Sequence, residues 1–105
     1  MTDMTEIYKS FFHEITGKVD EYIEDSLETR INNKTGTTII FPNRLRKALI
    51  PVNSKYSFMA ERNQKISKIG YEAAVLHMRL NYGLKERDNL YSRHNHYHFV
   101  INIRK

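Results

Sequence analysis

Met4, Ile7, Tyr8, Phe11, Phe12, Ile15, Val19, Tyr22, Ile23, Leu27 and Ile31 recur at three- and four-residue steps. That period places side chains along one face of an α-helix. Asp20, Glu21, Glu24, Asp25 and Glu28 fall on the opposite face. Asp3 is suited to cap the helix start, with Glu6 three residues later as in a capping box. The Asn- and Gly-containing stretch at residues 32–36 supplies the stop. The pattern predicts a helix over about residues 4–30.

Residues 37–41, "TTIIF", are β-branched and short and are ended by Pro42, which predicts a strand. Residues 43–50 then predict a short helix that Pro51 closes, because proline inside a helix removes a hydrogen bond and crowds the preceding turn. Tyr56 and Phe58 alternate with polar neighbours, so residues 52–64 are expected to form a short strand or an irregular segment. Ile66, Ile69, Ala73, Leu76 and Leu80 make a narrow three–four seam suited to packing on another helix. With Gly83 as its stop, this predicts a second main helix over about residues 64–82. Residues 84–95 are polar and are expected to form a loop.

At the C-terminus Tyr97, Phe99, Ile101 and Ile103 alternate with His96, His98, Asn102 and Arg104. Strict alternation marks a half-buried strand, here over about residues 96–104. The expectation is one α+β domain spanning residues 1–105. Its two main helices would pack on a small, mostly antiparallel sheet of two to four strands. A chain-terminal strand at the sheet edge would offer its backbone to a second copy, giving a homodimer, or to another protein.

Charge changes this picture most. Residues 1–30 carry a balance of −5 and residues 31–70 a balance of +7, within an overall +5. Such asymmetry points to an anionic partner for the middle of the chain. Arg44, Arg46, Lys47, Lys55, Arg62, Lys65 and Lys68 lie there with Tyr56 among them. Cations attract phosphates, and an exposed aromatic stacks on an unpaired base. The acidic face of Asp20, Glu21, Glu24, Asp25 and Glu28 is the competing surface, able to imitate phosphates before a basic channel. The bland alternative is that the two patches neutralise each other within the fold.

The chain has no cysteine, so disulfides, thiolate metal sites and thiol nucleophiles are excluded. No apolar run is long enough to cross a bilayer, and the polar N-terminus does not look like a secretory signal. The expected location is therefore the cytoplasm. Richness in Asn, Lys, Ile and Tyr with only two prolines suggests an AT-rich genome, such as that of a low-GC bacterium or its phages.

His94, His96 and His98 share one strand face. Same-face neighbours stand about 6.6 Å apart, too far for three to converge on one metal without a bend. No metal or cofactor is expected. A metal-free ribonuclease would use His96, His98 and Arg104 for proton transfer and phosphorane stabilisation. The large sheet usual in such enzymes has no counterpart in this pattern. The leading expectation is a small non-enzymatic binding or inhibitor protein of phage or mobile-element origin. It would bind nucleic acid, or a nucleic-acid-handling complex such as a bacterial defence system. The ribonuclease is the alternative, and a structural homo-oligomer subunit the second.

Overall fold

A computed structural model of the chain describes residues 4–29, 36–60, 65–87 and 98–102. Three helices pack on a three-stranded antiparallel sheet, an α+β fold. The order is α1 (Met4–Thr29), β1 (Thr37–Ile40), α2 (Pro42–Lys55), a 3₁₀ turn (Ser57–Met59), α3 (Ile66–Tyr82), β2 (Lys85–Arg87) and β3 (His98–Asn102).

Helix α1 buries Phe11, Ile15, Val19 and Ile23, one residue per turn, against both other helices. Helix α2 does not end at Pro51. It runs to Lys55 with Pro51 inside it, correcting the expected stop and the strand-like reading of residues 52–56. Leu45, Leu49, Val52 and Tyr56 are all buried, and their four–three–four spacing continues one helical stripe past the proline. An interior proline costs about 3 kcal/mol. Val52 and Tyr56 offset that cost by burying their side chains, while the proline ring itself stays exposed.

Helix α3 occupies its expected place but is rotated from the expected seam. Ile66, Gly70, Ala74 and Met78 face the core, while Leu76 and Leu80 are 57% and 75% exposed. Small residues in the middle of that seam explain the rotation. A Cβ at position 70 would lie 2.3 Å from Asn53 Oδ1 and 3.2 Å from Ile15 Cδ1, so glycine lets α3 approach α1 and α2 this closely without displacing those side chains. At the other end Gly83 takes φ +58°, and its N–H and that of Leu84 both return to the Met78 carbonyl. This left-handed cap turns the chain into β2.

The sheet order is β1-β3-β2, so the C-terminal strand is central. The expectation of an edge strand open to a second copy is thereby corrected. β3 pairs on one side with β1, with Ile40 opposite Phe99, and on the other with β2, with Glu86 opposite Phe99. Its alternation is as expected: Phe99 and Ile101 are buried and Asn102 is exposed. β2 lies within the expected loop, a correction whose cause is length. A three-residue polar edge strand is too short to show a period. No described helix is long and apolar enough to cross a membrane.

Candidate nucleic-acid interface

The basic middle of the chain divides into two groups once α2 and α3 pack together. Arg46 and Lys47 on α2 and Lys65 and Lys68 at the start of α3 line one groove of about 610 Å³ between the helices. Buried Leu49 and Ile66 form its floor, and exposed Ile50 lines it as well. Tyr71, Asn53, Ala60 and the hydroxyl residues Ser54, Ser57 and Ser67 complete the lining. No carboxylate is among the described lining residues.

Arg46 is held in place. Its guanidinium carbon sits 4.2 Å from the Tyr71 ring centroid, and Nη1 donates to Asn43 Oδ1 at 3.4 Å. The cation–π contact orders a side chain that would otherwise sample many rotamers. Burial raises the Tyr71 hydroxyl above its ordinary pKa, with Arg46 opposing and Glu86 reinforcing the shift. The phenol stays neutral at neutral pH and leaves the Arg46 charge uncompensated.

The first turn of α3 is also unusual. Lys65 occupies the cap position without a side-chain cap hydrogen bond, and the first turn contains no acidic residue. The Lys68 and Ile69 N–H groups return to the Lys65 carbonyl. A helix N-terminus carries partial positive charge and favours Asp or Glu, so two lysines there oppose the dipole by about 0.3–1 kcal/mol each. Among the described residues, Lys47, Lys65 and Lys68 form no ion pair. Groove cations and helix dipole therefore add to one another.

The other members of the basic set lie elsewhere. Lys55 pairs with Glu14 of α1, Nζ to Oε1 at 2.8 Å. Arg44 lies over the Phe41 ring, 5.6 Å from its centroid. Tyr56 is only 7% exposed, which corrects its expected part as a stacking surface. Its ring packs on Phe11 and its hydroxyl donates to Glu14, because it completes the buried stripe of α2. Arg62 lies outside the described residues.

The acidic face is also divided. Asp20 is committed to α3, correcting its place on a free face. Its Oδ1 accepts from the Tyr82 hydroxyl at 2.7 Å and meets His77 Nε2 at 2.8 Å. Burial, then the hydrogen bond to Asp20, pushes the Tyr82 pKa up to about 12. Glu21 pairs with Lys18, and Glu24 and Asp25 are exposed on α1. The side chain of Glu28 lies outside the described set. The acidic third and the basic middle meet at Glu14 and Lys55, away from the groove.

His98 begins β3 half-buried, its ring 6.3 Å from that of Phe41. His94, His96 and Arg104 lie outside the described residues, so the ribonuclease set is not assembled among those described. No described cluster of three or more His, Asp or Glu residues could hold a metal.

Ile50, Tyr71 and Ser67 line the groove although the run of basic residues does not point to them. Tyr71 had a usable signal, since it follows Lys68 by three residues and shares its helix face. Comparisons with protein-family models, curated proteins and solved structures gave no match.

Proposed function

We propose that the protein is a small non-enzymatic binding protein that holds nucleic acid in the α2–α3 groove. It would act on a nucleic-acid-handling complex in the cytoplasm of a bacterial host. The observation that carries this reading is the cationic lining. Arg46 and Lys47 on one wall and Lys65 and Lys68 on the other surround a helix N-terminus with no described carboxylate between them. Such an arrangement raises the energy of the free protein and is relieved by an anion. Its position also makes local folding sense harder to recover, since the first turn of α3 would be steadier with acidic residues.

Fluorescence anisotropy of labelled RNA, single-stranded DNA and duplex DNA across a salt series tests the proposal. Engaging four phosphates on a single strand predicts a slope of log K against log salt of about −3. Arg46→Glu with Lys65→Glu should weaken binding at least about tenfold, from two lost phosphate contacts. Glu21→Lys with Asp25→Lys should leave binding intact or strengthen it. The opposite result would move function to the acidic face, as an imitation of phosphate. Shortened RNA on gels of the same samples would instead support the ribonuclease.

A further inference from the structure

The groove has two chemistries, and together they specify more than negative charge. Its floor is apolar, built from buried Leu49 and Ile66 and from Ile50, which remains 56% exposed although it lines the concavity. Its rim is cationic. An aliphatic side chain left open to water between lysines is a cost that a phosphate ligand does not relieve, since phosphate gains nothing from contact with a methyl group. A duplex does not relieve it either. Its base faces are stacked inside, its outer surface is convex, and proteins read it by inserting a protruding helix or ribbon into a groove. A concavity of about 610 Å³ is on the scale of a small-molecule site, so a duplex would meet the cations of its rim without reaching its apolar lining.

We infer that the groove takes an unpaired strand of nucleic acid, with a base against Ile50 on the floor and the flanking phosphates on Arg46, Lys47, Lys65 and Lys68. This rests on the nucleic-acid reading above and specifies the form of the ligand. An unpaired nucleotide presents a flat, weakly hydrated face and an anion within one repeat, which matches floor and rim together. Arg46 contributes twice. Held over the Tyr71 ring, its planar guanidinium has little freedom left to lose, and it offers both a stacking face and phosphate donors. An acidic amphipathic peptide is the other class of ligand with mixed chemistry. It would need a row of large apolar pockets at successive helical turns, whereas the exposed aliphatic side chains of the described groove are Ile50 and the small Ala60.

The chain contains no tryptophan, so Ile50→Trp places a single indole reporter in the groove. Indole fluorescence is titrated with oligothymidylate, a duplex of equal length, inorganic polyphosphate and polyglutamate at one salt concentration. Anisotropy of labelled oligothymidylate is followed on the unaltered protein in parallel. Oligothymidylate should quench the indole and bind at least about tenfold more tightly than the duplex, the discrimination expected from one stacked base. Polyphosphate should bind without quenching. Ile50→Ala should weaken oligothymidylate by roughly fivefold, the scale of one lost apolar contact, and leave polyphosphate unchanged.

Duplex binding as tight as the single strand would overturn the inference while keeping the nucleic-acid reading. So would oligothymidylate that binds the unaltered protein but neither quenches the indole of Ile50→Trp nor loses affinity for Ile50→Ala. Polyglutamate binding as tightly as oligothymidylate, with the same sensitivity to Ile50→Ala, would assign the groove to a peptide. Binding of none of these polyanions to the unaltered protein would remove the nucleic-acid reading itself.

Discussion

Glu14 holds two partners from one turn of α2: Lys55 Nζ on one carboxylate oxygen and the Tyr56 hydroxyl on the other. The hydrogen bond from Lys55, then that from Tyr56, keeps its pKa below the ordinary 4.5. A carboxyl whose pKa is lower folded than unfolded contributes stability above the unfolded value and loses it as pH falls through the folded one. Thermal melts carried from neutral pH down past 4.5 should therefore show an acid limb that depends on Glu14. Tyr56→Phe removes one partner and brings the folded pKa closer to 4.5, so the loss on acidification should be smaller and should be complete at a higher pH. Glu14→Gln should flatten that part of the profile and lower stability at neutral pH. An unchanged acid limb in both variants would show that this contact does not couple to folding. The pair also explains why Tyr56 looked like a binding residue in the sequence. A tyrosine flanked by Ser, Lys and Phe has the composition of a stacking site, and nothing local reveals that Glu14, 42 residues earlier, receives its hydroxyl.

At the scale of elements, what was legible depended on whether one periodic pattern ran long enough to dominate. α1 announced itself because its apolar repeat covers most of 26 residues, and β3 because period-two alternation is unambiguous. α2 and α3 were misread in detail for opposite reasons. In α2, Pro51 hid a stripe that the spacing of Leu45, Leu49, Val52 and Tyr56 actually carries through. In α3, Leu76 and Leu80 drew the seam toward large side chains, whereas the buried line runs through Gly70 and Ala74. Close packing of three helices selects the smallest residues at the crossing, and hydrophobicity patterns undercount them. Gly70→Ala tests this. Alanine gains about 1 kcal/mol of helix propensity over glycine. Yet its Cβ would sit 2.3 Å from Asn53 Oδ1, and overpacking typically costs about 1–3 kcal/mol. A lower urea midpoint is expected, with recovery when Asn53→Ala removes the obstructing amide. A midpoint that rises in the single variant would mean that α3 is not pinned at this crossing.

Across the whole molecule, charge is segregated more sharply than chain order alone conveys. Glu14, Glu21 and Asp20 find partners in the fold, whereas Lys47, Lys65 and Lys68 have none among the described residues and share one concavity. The basic run was legible in the sequence. Its division into a groove set and cations engaged elsewhere, Lys55 with Glu14 and Arg44 over Phe41, was not, because that division depends on how the helices dock. The physical consequence can be measured without knowing the partner. Clustered cations repel, so the free protein should melt at a higher temperature as salt screens them, and most of that gain should vanish in Lys65→Gln with Lys68→Gln. A ligand that binds only the folded state adds about 2.7 kcal/mol at a concentration 100 times its Kd. For a domain of this size that corresponds to a rise in Tm of about 10 °C or more. An oligonucleotide should therefore raise Tm steeply at low salt and little at high salt, and the double variant should lose both the salt gain and the ligand gain together. Loss of one without the other would separate the repulsive cluster from the binding surface, showing that the uncompensated lysines and the nucleic acid meet the protein in different places.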